Sequence, residues 1–161
     1  MDYDLITTNA ISNFVHDYEK GLFVPRTEAD IQGYIFSACL QEFKLHNFEL
    51  NIHLNYPNLI LDNMKRKKID IVVGDSIAVE IKFEADYPGV SKPVVFREEV
   101  ISDLERLKSM KNKGMPHCHF VFIDEDGTHY RNLYKYTDVA LNWMELNIKS
   151  RKRSYLLHIE F

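Results

Sequence analysis

The sequence is poor in the residues that build specialised architectures. Two cysteines in 161 residues, Cys39 and Cys118, are too few and too far apart for a disulfide framework. A reducing, cytoplasmic setting is therefore the expectation. Six glycines and five prolines exclude collagen-like, linker-like and low-complexity chains. No apolar run approaches the ~18 residues that span a bilayer, so no membrane partner is expected. The acidic opening MDYDLITTNA lacks the basic and apolar regions of a signal peptide. Positive charge is not in excess either: 20 Lys and Arg stand against 24 Asp and Glu, a net charge of −4. That excludes a wholly basic nucleic-acid-binding surface and leaves room for basic patches beside an acidic site. No internal repeat is present.

What remains is an ordinary globular composition, 45% hydrophobic, in a chain long enough to bury a core without metal or disulfide staples. Weak helical periodicity runs over 3–19. Thr27 reads as the N-cap of a helix over Glu28–Leu45, with Glu28 and Asp30 in the first turn where the helix dipole favours anions. Alternation predicts a strand over Phe48–Asn55. Two β-branched strands follow, Lys68–Val73 and Ile77–Phe83. Phe96–Lys111 is an amphipathic helix, and His117–Asp124 is another strand. Thr137 is expected to cap a helix reaching about Asn147, and Tyr155–Phe161 ends the chain as a short strand. The expectation is one α/β domain with a central mixed β-sheet flanked by helices. Its core spans about 26–124, with an N-terminal helical segment over 1–20 and a C-terminal extension over 137–161.

The chemistry lies in KIDIVVGDSIAVEIKF, residues 68–83. Asp70, Glu80 and Lys82 sit among Ile and Val in strands that read as buried, and charge in such strands needs a reason. Strand alternation puts Glu80 and Lys82 on one face. A two-residue loop at Gly74-Asp75 sends Asp70 to the opposite face; a three-residue loop, Gly74-Asp75-Ser76, sets Asp70 across from Glu80. Two carboxylates directly opposite destabilise a sheet unless a cation offsets them. A divalent metal, with Lys82 as a second positive charge, meets that need.

Asp, nine residues, then Glu-x-Lys, on two hairpin strands preceded by a helix, resembles the PD-(D/E)XK nuclease superfamily. The resemblance covers residues 28–124, about two-thirds of the chain, in the order αβββαβ. Ile69 stands where the family name has Pro. The resemblance implies a restriction endonuclease-like or resolvase-like core and metal-dependent hydrolysis of DNA phosphodiesters, with structure-selective cleavage as the form that suits a compact chain. By the same resemblance Asp70, Glu80 and the Ile81 carbonyl would hold Mg²⁺ or Mn²⁺. Lys82 would orient or activate the attacking water and offset phosphate charge. The family often adds a first-helix Glu, and Glu28 is the candidate for catalysis and metal binding. Glu42, four turns and ~21 Å further along the helix, is its competitor. Gln32, one turn after Glu28, would support the site or contact nucleic acid. Lys65, Arg66 and Lys67, leading into the Asp70 strand, are candidate phosphate contacts. A homodimer is a further expectation. The alternative is a catalytically inactive nuclease-fold module that binds DNA or protein.

Other features read more plainly. Glu84 and Asp86 are expected in a solvated loop. His117, Cys118 and His119 suggest zinc, but alternation puts Cys118 on the other face and no second ligand pair stands at metal spacing, so the segment reads as the edge of an ordinary strand. Tyr130, Tyr134 and Tyr136, with Arg131 and Lys135, suit either base stacking or a core.

Overall fold

A computed structural model describes residues 2–57, 68–86, 95–148 and 153–161. Its elements are α1 (Tyr3–Lys20), α2 (Glu28–Leu45), β1 (Ile52–Pro57), β2 (Lys68–Val73), β3 (Ile77–Glu84), α3 (Arg97–Asn112), β4 (His117–Asp124), the short α4 (Thr128–Asn132), β5 (Trp143–Leu146) and β6 (Ser154–Glu160). The strands form one six-stranded mixed sheet in the order β1-β2-β3-β4-β6-β5. β3 and β4 are parallel, joined through α3, and the other neighbours are antiparallel. The helix, three strands, helix, strand order expected between 28 and 124 is present. Among the described residues no helix is long and apolar enough to cross a membrane.

The local chemistry explains the helix starts. Thr27 and Asp30 form a reciprocal capping box at the start of α2. Asp2 accepts a hydrogen bond from the Leu5 N–H at the start of α1. The sheet divides two cores. On one face Ile6, Phe14 and Tyr18 of α1 and Ile31, Ile35 and Phe43 of α2 pack on Ile71, Val73, Val79, Ile81 and Val121. On the other, Val100, Leu104, Leu107 and Met110 of α3 pack on Val72, Ala78, Cys118, Phe120 and Phe122. Both cysteines are free and buried, and burial pushes the Cys39 thiol up to about 12 and that of Cys118 to about 11.

Several elements differ from the sequence reading. β1 begins at Ile52 rather than Phe48, because the α2 exit turns back through Asn47, at φ 54°, and only from Ile52 does β2 offer a partner. No helix runs from Thr137 to Asn147. Residues 143–146 are instead strand β5 along β6, with Trp143 and Leu146 packed toward opposite cores. α4 was not expected. β4, expected as a strand, lies inside the sheet between β3 and β6.

Candidate active site

The register of the β2–β3 hairpin decides the geometry. Val73 pairs with Ile77, Val72 with Ala78 and Ile71 with Val79. This is the three-residue loop, and Gly74 supplies its positive φ of 58°. Continuing the register brings Asp70 opposite Glu80, but the ladder stops one pair short. Pairing also lapses on the other side of Asp70, where Asn55 of β1 has φ 51°. Ile69 and Ile71 consequently pack into different cores. In place of a ladder bond, the Ile81 N–H donates to Asp70 Oδ2 at 2.7 Å. Gln32 of α2 donates to the Asp70 carbonyl at 2.5 Å. Gln32, considered for nucleic-acid contact, is thus engaged in holding the strand at Asp70.

The opening holds a cleft of about 270 Å³ lined by Lys68, Asp70, Glu80, Lys82, Glu99, Asp103 and Arg106. Asp70, Glu80 and Lys82 therefore line one space. Lys82 Nζ is 3.1 Å from Asp103 Oδ2 and 3.6 Å from Glu28 Oε2. It also donates to the Ile81 carbonyl at 3.3 Å. Arg106 Nη2 is 2.5 Å from Glu80 Oε1 and 2.9 Å from Asp103 Oδ1. The Glu80 contact lacks hydrogen-bond geometry, however: Glu80 Oε1 and Arg106 Nε are both buried without a hydrogen-bond partner among the described residues. A wider groove of about 690 Å³ runs between α1 and α2, but it does not bring these charges together.

Glu28, not Glu42, is the first-helix carboxylate at this cleft; Glu42 pairs with His46 at 3.6 Å. Glu28 meets Lys82 rather than the other carboxylates. Among the described residues, no three cleft carboxylates bring oxygens within 4.8 Å of one another. Asp103 and Arg106 were missed from the sequence. With Glu99 they recur at i, i+4 and i+7 on α3, a charged row flanking the apolar row Val100, Leu104 and Leu107.

Five carboxylates, Glu28, Asp70, Glu80, Glu99 and Asp103, face three cations, Lys68, Lys82 and Arg106, a formal excess of two negative charges. Burial, then the Asp70 charge, pushes the Glu80 carboxyl well above its ordinary range, against the pull of Arg106. Burial likewise raises Asp70 against the Ile81 N–H and Lys82, and raises Glu28 against Lys82. Burial disfavours the Lys82 charge, but Asp103, Glu28 and Asp70 outweigh it and hold its pKa above the usual lysine value. Lys82 is therefore an ammonium. It can offset an anion or orient a water, but it has no free electron pair with which to accept a proton.

The remaining expectations fall elsewhere. Lys65, Arg66 and Lys67 lie outside the described residues. Glu84 is buried at the end of β3, where it accepts from the Val95 N–H at 2.7 Å, so it is no solvated loop residue. Tyr130, Tyr134 and Tyr136 are exposed rather than core; Tyr130 stacks on Tyr155 at 3.9 Å, and the Arg97 guanidinium lies 3.8 Å from the Tyr136 ring centre. Comparison with protein-family models, curated proteins and solved structures yields no significant match.

Proposed function

We propose that the chain is a divalent-metal-dependent nuclease acting on DNA phosphodiesters, with residues 28–124 as a restriction endonuclease-like core. The observation that carries the reading is the gathering of Asp70, Glu80 and Lys82 in one cleft with an uncompensated carboxylate excess. A surface ion pair is worth about 0–1 kcal/mol and gives no reason to bury Glu80 and Asp103 beside a half-buried Asp70. The donor set fits a hard cation. Carboxylate and carbonyl oxygens suit Mg²⁺ or Mn²⁺, and Glu80 Oε1 is a buried acceptor without a hydrogen bond. Asp70, Glu80 and the Ile81 carbonyl would hold the ion, which when bound would polarise a phosphoryl oxygen and lower the pKa of a water. Lys82, held as a cation by Asp103 and Glu28, would meet phosphate charge and orient the attacking water. Gln32 fixes the strand carrying Asp70, and Arg106 keeps Glu80 from rotating away.

The Arg106–Glu80 contact favours a second reading, in which the guanidinium takes the cation's place and the fold binds DNA or protein without cutting. Plasmid nicking with Mg²⁺ or Mn²⁺, for wild type, Glu80→Gln and Asp70→Asn, separates the two. Cleavage by wild type alone supports the nuclease. Failure of wild type to cut plasmid, branched or single-stranded DNA, together with retained DNA binding, supports the module.

A further inference from the structure

The second charged cluster lies on the opposite face of the sheet, at the start of β4. His117 and His119 of β4 project on the α1 side, beside His158 and Glu160 of β6 and Asp4 of α1. His117 Nδ1 is 3.3 Å from Asp4 Oδ1 and 3.2 Å from Glu160 Oε1. One ligand atom from each of these three residues lies within 4.8 Å of the other two. Behind them, His119 Nε2 is 2.9 Å from the same Asp4 oxygen, and His158 Nε2 is 3.2 Å from His119 Nδ1.

From this arrangement we infer a transition-metal site, of the Zn²⁺ class, with Asp4, His117 and Glu160 as ligands and His119 as the residue that positions Asp4. It is independent of the nuclease reading. The sequence offers no second ligand pair at metal spacing; the fold instead brings Glu160 alongside His-x-His at 117–119, through the β4–β6 pairing of His119 with Glu160, and adds Asp4 from α1.

Three observations support the assignment. Tetrahedral Zn²⁺ with bonds of about 2.0–2.1 Å to nitrogen and oxygen sets its ligands roughly 3.3 Å apart, the separation found on both sides of His117. An imidazole nitrogen with two carboxylates is a donor set for a borderline cation, and three protein ligands leave a position for water or another group. The interior end of the cluster has the form of a metal site's supporting shell. His119 is fully buried, and His158 is half-buried beside it. The run of contacts from His158 Nε2 to His119 Nδ1, and from His119 Nε2 to Asp4 Oδ1, holds the Asp4 carboxylate toward His117. A lone His⁺ bridging two acids needs no such backing.

The test is a Zn²⁺ titration of the chelator-stripped full chain against a chromogenic competitor, at neutral pH, with thermal melts in parallel. One Zn²⁺ per chain is expected, with a rise in melting temperature because the ion ties α1 to the sheet. His117→Ala and Glu160→Gln should each weaken binding at least about tenfold, since even loss of a supporting partner costs ~10–100-fold. Glu160→Gln is isosteric at an exposed side chain, so it retains the fold. Glu80→Gln should bind as wild type. The site is overturned if wild type takes up no stoichiometric zinc. It is equally overturned if both β4–β6 variants bind as wild type, or if Glu80→Gln alone loses the ion, which places it in the acidic cleft.

Discussion

Glu80 shows how the cleft is balanced at the scale of a residue. Its folded pKa lies above its unfolded one, so the folded state binds more protons than the unfolded state in the pH range between them. Stability is then full below the ordinary Glu value and falls as pH rises through the raised folded value. Asp70 and Glu28 act in the same direction. Glu80→Gln, which cannot ionise, should match wild type near pH 4 and be more stable at pH 8 without metal, as read by urea denaturation at the two pH values. A wild type that gains stability between pH 5 and 8 more steeply than Glu80→Gln would refute this balance. Arg106 has the opposite sense. Removing one partner of a buried pair costs roughly 3–5 kcal/mol, so Arg106→Met should be strongly destabilising at pH 8. The loss should shrink toward pH 4, where protonated Glu80 no longer needs the guanidinium, and Arg106→Met with Glu80→Gln should recover part of it at pH 8.

Elements were legible where local pattern sufficed, and obscure where a distant partner decided. The Thr27–Asp30 cap marks α2, and Gly74-Asp75-Ser76 marks the hairpin, because both signals lie within a few residues. The α3 contribution was hidden. Glu99, Asp103 and Arg106 look like the solvated side of an amphipathic helix until the β2–β3 ladder parts at Asp70 and leaves that side facing a cleft. Likewise β5 is a strand because β6 lies beside it, a pairing that nothing inside 137–147 announces. The turn before α4 gives a local test. Gly127 has φ 72°, and an added Cβ would lie 2.8 Å from Tyr155 Cε2 and 2.9 Å from Arg131 Nη1. The arginine end can swing aside, whereas the Tyr155 ring is stacked on Tyr130. Gly127→Ala should therefore cost ~1–3 kcal/mol, from left-handed strain plus the displaced ring. Gly33→Ala, in mid-helix with nothing within 4 Å, should stabilise by roughly 0.5–1 kcal/mol. Urea unfolding of the two variants should move in opposite directions.

On the whole molecule the sheet keeps the two charged clusters apart, with Glu80 and Lys82 on the α3 side and His117 and His119 on the α1 side. With a net charge of −4, DNA association has to rely on local cations. Replacing Lys65, Arg66 and Lys67 by Gln should lower the magnitude of the logarithmic salt slope of DNA binding, by up to ~0.9 for each phosphate no longer neutralised. An unchanged slope would mark these residues as solvated surface. The separation also makes metal linkage readable. An ion that binds only the folded state at a hundredfold excess over its dissociation constant stabilises by about 2.7 kcal/mol. For a chain of this size, that is roughly 5–10 °C in melting temperature. If the acidic cleft holds Mn²⁺, wild type should gain this shift and His117→Ala should retain most of it, because its change lies across the sheet. Glu80→Gln and Asp70→Asn should lose it, since each removes an oxygen ligand and part of the charge excess that attracts the cation. The shift should grow as pH rises through the raised Glu80 value, because the ion competes with the proton that burial favours there. Melts of these four proteins with and without Mn²⁺ decide the matter: a wild type indifferent to the ion, or a shift equal in all four, would sink the metal reading of the cleft.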